Sequence, residues 1–440
     1  MAVFRWILTC ITVLSSIVWS LVASAAMPFD LPPGLSIAAA AQQKHGDRFL
    51  DVEGVVGHGL ATDSNGVGII VVFTESPVVP GVPVAVDGVK VKTVFSGRFY
   101  ALAPPLCGGP PSERPAECFS DPEPEPTVDP TARFERPVPI GVSTGHPNIT
   151  AGTIGARVTD GTDVYALSNN HVFANSNQTS VPENILQPGP YDGGVENGDT
   201  YATLVDYEPI LFDGSANIMD AAIARSDEAS LATATPADGY GTPSSSVETA
   251  MPGLAVKKYG RTTGFTQGTV DSINATVNVC YEGGSSCTKL AMFVNQVVIT
   301  PGTFSAGGDS GSLIVASDSN AAVALLFAGS SSYTIGSPIT PILQRFNVTI
   351  DSATAPPPPT GDFALTASGY KVKGQHKVNL EWSGSQATQV DVYRNGVLVE
   401  TVTNSGFYND NINSKGGATY NHKVCNQGTE TCSNTSVTVF

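Results

Sequence analysis

The sequence predicts a mainly β fold built from short strands and tight turns, and its composition is the first support. Glycine occurs 45 times and proline 32 times in 440 residues, which favours short strands joined by turns over long helices. Charged residues make up 14% of the chain, against about 25% in an average soluble domain. A chain of this length divides into roughly two to four domains.

The net charge of −17 excludes one class of partner. Nucleic acids are bound through patches of Lys and Arg that neutralise phosphates, and this chain has 22 such residues against 39 acidic ones. We therefore expect no nucleic-acid partner. For the same reason we expect no binding to an anionic membrane surface.

Residues 1–25 have the pattern of a secretory signal peptide. Arg5 supplies the positive charge, residues 6–22 form an apolar run, and Ala23-Ser24-Ala25 is an A-x-A cleavage site. An uncleaved membrane anchor of about this length is the alternative. With cleavage Cys10 is removed, and we expect a secreted protein, extracellular or periplasmic, without stable membrane association.

The six remaining cysteines fall into three local pairs. An even number of cysteines in a secreted chain implies disulfides, although other pairings stay open from sequence alone. None of the pairs has the C-x₂-C spacing of a zinc or redox site, so we expect structural disulfides. The pairs are Cys107 with Cys118, Cys280 with Cys287, and Cys425 with Cys432.

The N-terminal part, residues 26–103, is predicted to form a separate domain or a propeptide. A helix is expected over 37–44, and Asp87-Gly88 is a hairpin signal between two strands. Residues 104–139 form an acidic, Pro-rich linker, which cannot bury a core. The predicted strands span residues 54–59, 68–74, 82–86 and 89–94.

The central part, residues 140–350, consists of short apolar runs separated by turn signals. This pattern is typical of barrels and sandwiches, and the length suffices for two small barrels. The clearest runs span residues 152–158, 164–167, 221–224, 297–300, 312–315 and 322–328.

A second linker, residues 351–361, precedes a tail of residues 362–440 with its own strand pattern. Trp382 gives one strand a large apolar anchor, and Asn395-Gly396 is a strong hairpin signal. The tail resembles a fibronectin type III-like β-sandwich, with Trp382 as its core tryptophan and Tyr420 as its corner tyrosine. We expect it to bind or to act as a spacer.

The strongest chemical signal is Gly-Gly-Asp-Ser-Gly-Ser at residues 307–312. Glycines on both sides of Ser310 fill no core position, but they allow unusual backbone angles and the close approach of a ligand. Such a loop presents a hydroxyl together with unhindered backbone N–H groups. These are the nucleophile and the oxyanion hole that acyl transfer needs.

A nucleophilic serine needs a base, and only two of the six histidines lie in the central part. His146 precedes Pro147 in a Gly/Pro-rich loop and is predicted to be a surface turn residue. His171 follows the predicted strand at 164–167 and is the predicted base. The other four are His45, His58, His376 and His422.

An acid should orient that imidazole from a position where it stays ionised. Asp220 stands directly before the apolar strand at 221–224 and is favoured. Asp206, in a mixed polar stretch, and Asp213, in an Asp-Gly turn, are the alternatives. The order His, Asp, Ser excludes the orders found in α/β-hydrolases and subtilisins.

Three blocks together resemble the catalytic segments of chymotrypsin/trypsin-like serine peptidases: SNNHVF at 168–173, MDAAIA at 219–224 and GGDSGSLI at 307–314. The resemblance spans about residues 140–350. Two further stretches, LQPGPYDGG at 186–194 and GRTTG at 260–264, resemble a secreted bacterial subgroup. The N-terminal segment resembles what precedes the peptidase there.

The resemblance implies two six-stranded β-barrels with a site in the cleft between them. Ser310 would be the nucleophile, His171 the general base and then acid, and Asp220 the residue that orients it. The N–H groups of Gly308 and Ser310 would form the oxyanion hole. The implied activity is that of a secreted serine endopeptidase acting on protein or peptide without a cofactor. The alternative is a catalytically silent peptidase-fold protein that binds peptides or serves as a scaffold.

The chain departs from the family pattern around the nucleophile. No Ile-Val-Gly-Gly follows a scissile basic residue to pair with Asp309, so an internal cation such as Arg261 is expected. Phe304 stands where trypsin-like specificity needs an acid, six residues before the serine. We therefore expect an apolar or small-residue pocket walled by Phe304, Ala328 and Gly329. The usual disulfide beside the nucleophile is also missing.

No metal site is predicted, since the chain has no H-E-x-x-H motif and no Cys/His cluster. The acidic run at 192–199 is predicted to be a solvated loop, with a Ca²⁺ site as the alternative. The sequence does not determine the oligomeric state.

Overall fold

The computed structural model describes residues 31, 33–101, 128–282, 286–352 and 363–440, except 373–374, 386, 388, 405 and 430. The predicted signal peptide, most of both linkers, and Cys107 and Cys118 lie outside the described residues. Within them, no helix is both long enough and apolar enough to cross a membrane.

The N-terminal unit is one helix packed on a small set of strands. Helix α1 (Pro33–Leu50) begins with a proline, whose missing N–H costs nothing at that position. It is longer than the predicted 37–44, because Leu35 and Phe49 at its two ends are buried in the same core as its centre. The strands are β1 (Val55–Thr62), β2 (Gly68–Thr74), β3 (Ala85–Val86), β4 (Val89–Phe95) and β5 (Phe99–Ala101).

Asp87 and Gly88 form the predicted hairpin between β3 and β4. Their φ angles are 46° and 79°, as a type I′ turn requires, and Ala85 pairs with Lys90. Strand β3 is shorter than the predicted 82–86. Strand β4 continues from the hairpin and runs parallel to β2.

The central part contains mostly short strands and, in the residues that the structure describes, three short α-helices. The helices are α2 (Asn170–Phe173), α3 (Glu196–Asp199) and α4 (Ile339–Phe346). The first strands are β6 (Ser143–Thr144), β7 (Gly152–Thr153), β8 (Ala156–Thr159), β9 (Val164–Ser168), β10 (Asn184–Leu186), β11 (Thr200–Tyr207), β12 (Ala216–Asn217) and β13 (Ala222–Ser226). The others are β14 (Ala255–Gly260), β15 (Gly264–Glu282), β16 (Lys289–Thr300), β17 (Leu313–Ala316), β18 (Ala322–Gly329), β19 (Thr334–Pro338) and β20 (Thr349–Ile350).

A six-stranded sheet forms the first half of the central part, in the order β10-β11-β13-β9-β8-β20. Successive side chains of a strand point to opposite sides, and both sides are apolar here. Ala166 and Ala224 lie in one buried cluster, while Leu167 and Ile223 lie in another. Strands β9 and β13 are therefore held firmly side by side.

The second sheet has twelve strands instead of the six that the resemblance implied. Strands β12 and β14–β19 of the central part form one portion. The sheet then continues from β15 into β1, β2, β4 and β3, and β5 pairs with both β15 and β18. Five of the twelve strands come from the N-terminal unit, which adds β1 to the edge of β15, and seven come from the central part. The sheet is therefore larger than the six-stranded barrel that the resemblance implied.

The long hairpin of β15 and β16 is the backbone of this second sheet. β15 runs for 19 residues and pairs with β14, β16, β1 and β5. Cys280 and Cys287 form the predicted disulfide across the loop that joins the two strands.

A buried polar network joins α1, β1 and β15. The Gln42 side-chain amide lies 2.8 Å from His58 Nδ1, and the same amide nitrogen donates to the Asn274 carbonyl at 3.0 Å. Asn274 returns a hydrogen bond to the Gln42 side-chain oxygen at 2.8 Å. The N-terminal unit is therefore fastened to the central part by specific polar contacts as well as by strand pairing.

The tail forms two sheets of three and four strands, in the orders β21-β22-β25 and β24-β23-β26-β27. These strands are β21 (Ala364–Val372), β22 (Gln375–Ser383), β23 (Gln389–Arg394), β24 (Val397–Thr403), β25 (Phe407–Asn411), β26 (Thr419–Asn426) and β27 (Ser436–Val439).

Trp382 is buried in a cluster drawn from both sheets of the tail, with Leu380, Val392 and others. Asn395-Gly396 makes the predicted turn between β23 and β24, and the predicted disulfide joins Cys425 to Cys432. The Tyr420 hydroxyl lies 3.0 Å from His376 Nδ1. The hydroxyl of a corner tyrosine hydrogen-bonds to the backbone. The side-chain contact of Tyr420 therefore differs from the pattern that we expected.

Acid should weaken the docking of the N-terminal unit. Burial lowers the pKa of His58 from 6.5 to about 4, so the native state resists a proton that the unfolded chain accepts. The stability contributed by neutral His58 is complete above pH 6.5 and falls as the pH drops toward 4, by about 3 kcal/mol. Urea unfolding of the full chain at pH 7, 5.5 and 4 measures this.

The variant His58→Gln removes the titrating ring and should flatten the pH dependence relative to wild type. Parallel curves for wild type and His58→Gln would show that this prediction is wrong.

Candidate active site

His171 lies at the junction of a strand and a short helix. Strand β9 ends at Ser168, Asn169 follows in extended conformation, and α2 begins at Asn170. Val172 is buried in the apolar cluster beneath the helix and anchors it there. The His171 side chain keeps 11% exposure.

Asp220 sits against this histidine with its side chain completely buried. Its Oδ2 lies 2.6 Å from His171 Nδ1, and its Oδ1 accepts the His171 backbone N–H at 3.2 Å. The pairing of Ala222 with Ser168 aligns the two strands that carry them. A proton on Nδ1 facing the carboxylate leaves the lone pair on Nε2.

The two alternative acids lie elsewhere. Asp206 is half-exposed and pairs with Arg345 at 2.8 Å. Asp213 is exposed and accepts the Ser215 backbone N–H at 2.9 Å, as a turn aspartate does. The structure brings only Asp220 of these three to His171.

His146 is not the surface turn residue that its position before Pro147 predicted, because it is 1% exposed. Its Nδ1 accepts the Asn148 backbone N–H at 3.0 Å, and its Nε2 lies 3.2 Å from the Thr179 hydroxyl. Burial lowers the pKa of His146. The buried ring holds the entry loop in place through these contacts. The local sequence, which is short and polar, did not predict that the ring is buried.

Ser310 lies in a tight loop before β17, and Gly308 and Gly311 on either side both have φ of +96°. A Cβ on Gly311 would lie 2.2 Å from the Ser168 hydroxyl and from the Thr153 carbonyl. Glycine is therefore required there by conformation and by space. The Ser310 hydroxyl donates to the Phe327 carbonyl at 3.3 Å.

Strand β7 holds the serine loop close to α2. The Thr153 N–H donates to the Ser310 carbonyl at 2.7 Å. A Cβ on Gly152 would lie 2.5 Å from Val172 and 3.1 Å from the Ser310 carbonyl. The loop is therefore near His171, yet His171 Nε2 is buried with no hydrogen-bond partner among the described residues.

Asp309 pairs with Lys258, and the expectation that Arg261 would be its partner was wrong. Both Lys258 and Asp309 are fully buried, with Nζ 3.3 Å from Oδ2. Thr263 adds a hydroxyl donor at 2.7 Å. Arg261 turns away and bonds Asp192, with Nε 2.9 Å from Oδ2. Burial lowers the pKa of Lys258, while the charge of Asp309 opposes the shift.

Two aspartates of the acidic run at 192–199 form ion pairs with arginines. Asp192 binds Arg261, and Asp199 accepts from Arg133 at 2.6 Å. In the part of the chain that the structure describes, no group of three His, Cys, Asp or Glu residues could hold a metal ion.

The expected pocket residues lie in two places. Phe304 is fully buried in the core, with Lys258 Nζ 5.9 Å from its ring centroid. Ala328 and Gly329 end β18, where they pair with Ala101 and Tyr100 of β5. The N-terminal unit thus covers the strand edge beside the serine loop, and Ser310 itself is 0% exposed.

Sequence reasoning missed Tyr281, whose hydroxyl donates to Asp220 Oδ2 at 2.7 Å. It also missed Lys258. The only local signal for Tyr281 is its place beside Cys280 at a strand end, and for Lys258 its place just before the Gly-Arg-Thr-Thr-Gly stretch.

No protein-family model matches this chain, and no curated protein matches its sequence. Solved structures similar to about half of it are serine proteases. A glutamic acid-specific serine protease is 24% identical over 49% of this chain and 100% of its own, with a TM-score of 0.36. Protease A of Thermobifida fusca is 18% identical over 49% and 98%, with a TM-score of 0.35. Cellulomonas bogoriensis chymotrypsin is 18% identical over 50% and 99%, with a TM-score of 0.34.

Removing the Lys258 ammonium, which pairs with Asp309 in the serine loop, should strongly lower the free energy of unfolding. Lys258→Met leaves the buried Asp309 carboxylate unpaired, which costs about 3–5 kcal/mol. Lys257→Met, one residue earlier, is the matched control. Lys257 is only partly buried and its ammonium donates to the Ser317 carbonyl, so its loss should cost about 1 kcal/mol or less. Equal free energies of unfolding for the two variants would contradict the assignment.

Proposed function

We propose that this protein is a serine endopeptidase that hydrolyses peptide bonds through an acyl-enzyme on Ser310. The observation that carries the proposal is the contact between His171 and the buried Asp220, with Nδ1 2.6 Å from Oδ2. It lies beside a glycine-flanked serine loop held by β7. His171 Nε2 has no hydrogen-bond partner among the described residues, and an imidazole nitrogen free to accept a proton is what a general base needs.

In the proposed reaction, Ser310 Oγ attacks the peptide carbonyl carbon as its proton passes to His171 Nε2. The carbonyl oxygen takes up negative charge, which the N–H groups of Gly308 and Ser310 stabilise. The C–N bond then breaks, and His171 returns the proton to the leaving amine. Water repeats the sequence to free the acid and Ser310. Asp220 stays ionised and holds the imidazolium in place.

We expect cleavage after apolar or small residues rather than after Lys or Arg. Trypsin-like specificity needs an acid six residues before the serine. Phe304 occupies that position here and is buried against other apolar residues. Lys258 beneath it is paired with Asp309, so it offers no free charge to an acidic substrate.

We also propose that residues 26–103 act as an inhibitory or folding-assisting propeptide. The supporting observation is the pairing of β5 with Ala328 and Gly329 beside a fully buried Ser310. Phe99 of β5 lies in one apolar cluster with Phe327. Cleavage in the acidic linker would allow this unit to leave. We propose that the predicted signal peptide directs secretion. We propose that the tail is a fibronectin type III-like module that binds a partner or acts as a spacer.

The alternative function is a catalytically silent peptide-binding or scaffold protein on the same fold. It is favoured by two observations: the Ser310 hydroxyl donates to the Phe327 carbonyl, and His171 Nε2 has no hydrogen-bond partner in the part of the chain that the structure describes. A labelled peptide library separates the two functions. Binding that survives Ser310→Ala, with no turnover in wild type, supports the alternative.

A fluorophosphonate probe should label Ser310 on prolonged exposure, and Ser310→Ala should abolish the label. Asp220→Asn should slow labelling by about four powers of ten, because the amide holds the imidazole in the wrong tautomer. Asp206→Asn, on the same sheet, is the matched control and should label at the wild-type rate. A folded wild-type protein that never reacts would sink the proposal.

Loosening β5 should expose the serine. Phe99→Ala deletes a buried ring from the cluster that holds β5, so labelling of Ser310 should become about tenfold faster or more. Phe95→Ala removes an exposed ring of the same unit and should change nothing. Rapid labelling of the uncut wild-type chain, or no acceleration in a folded Phe99→Ala variant, would argue against inhibition.

A further inference from the structure

Asp220, the acid beside the candidate base His171, accepts a hydrogen bond from a residue outside its own sheet. Asp220 lies beside β13 and His171 follows β9, both in the six-stranded sheet. The Tyr281 hydroxyl that donates to Asp220 Oδ2 comes from β15 of the twelve-stranded sheet. Ser310 lies in the loop before β17 of that same larger sheet. One hydrogen bond thus joins the acid to the sheet that carries the serine.

Tyr281 is fixed from several directions. Its ring meets His171 and Phe212 edge-on, with centroids 6.0 and 5.3 Å apart, and stacks on Phe293 at 6.2 Å. Cys280, the preceding residue, is closed by a disulfide to Cys287. The hydroxyl therefore reaches the carboxylate from a rigid support.

The carboxylate depends on few donors. Asp220 is completely buried, and in the described residues its side-chain oxygens accept from the His171 backbone, the His171 ring and Tyr281. A hydrogen bond to a buried charge is worth more than one between neutral groups. Loss of the hydroxyl would free the carboxylate to rotate and would concentrate its charge on the imidazole.

We propose that Tyr281 is a positioning residue for the proposed peptidase reaction: its hydroxyl fixes Asp220, and through it the orientation of His171. This rests on the proposed function. The Tyr281 ring packs edge-on against His171, but its hydroxyl bonds Asp220, so the hydroxyl acts on the histidine through Asp220. Burial, together with the charge of Asp220, raises the pKa of Tyr281 well above its usual value. The hydroxyl stays a donor throughout the neutral range.

The test is Tyr281→Phe in the full-length chain, because phenylalanine keeps the ring contacts and removes only the hydroxyl. The rate constant for fluorophosphonate labelling should fall about tenfold or more. The acid limb of its pH profile should move to higher pH, because the imidazolium then faces a less satisfied carboxylate. Tyr333→Phe, in the same apolar cluster, is the matched control and should change neither quantity.

A second readout needs no reaction. In ¹⁵N-histidine-labelled protein, the downfield proton between His171 Nδ1 and Asp220 is identified by its loss in Asp220→Asn. It should shift in Tyr281→Phe and stay in place in Tyr333→Phe. A Tyr281→Phe variant that is merely less stable, with wild-type pH profile and proton resonance, overturns the proposal. Wild-type protein that never labels overturns the proposed function, and the resonance alone then decides the role of Tyr281.

Discussion

The carboxylate of Asp220 is completely buried. Supplying it with hydrogen bonds is a constraint on both sheets of the central part. A buried carboxylate is costly unless hydrogen bonds satisfy it. Its donors here come from both sheets, with His171 on one side and Tyr281 on the other. The position of a single charge therefore restricts how the sheets can meet. Small errors in the packing of β9, β13 or β15 would deprive that charge of one or more of its donors.

Local patterns were enough to find Ser310, His171 and Asp220 as candidates. Each stands at a strand end or between glycines, and such signals extend over only a few residues. Ranking Asp220 above Asp206 rested on one apolar strand, and the structure brings Asp220 alone to the histidine. The roles of the three residues in catalysis remain predictions. The strand pattern and two local disulfides were also predictable, because each depends on neighbours in sequence.

Contacts between distant residues were not predictable. Strand β15 alternates small and polar residues with apolar ones, so no continuous apolar run marked it, and its 19 residues gain stability from partners on both sides. Arg261 and Lys258 are three residues apart, and only their backbone geometry decides which one reaches Asp309. Tyr281 meets Asp220 across 61 residues of chain. Pairing of this kind is set by tertiary packing, which a single sequence does not encode locally.

The extension of the second sheet into β1 has a consequence for a chain that has lost its N-terminal unit. Gly57, His58 and Leu60 of β1 pair with Val277, Thr276 and Ile273 of β15. Departure of β1 would leave this stretch of β15 as an open sheet edge, with backbone N–H and C=O groups facing solvent. Open edges recruit strands from other chains. The trimmed protein would thus be able to capture an extended polypeptide along β15 by strand addition, on a different strand from those that flank the serine loop.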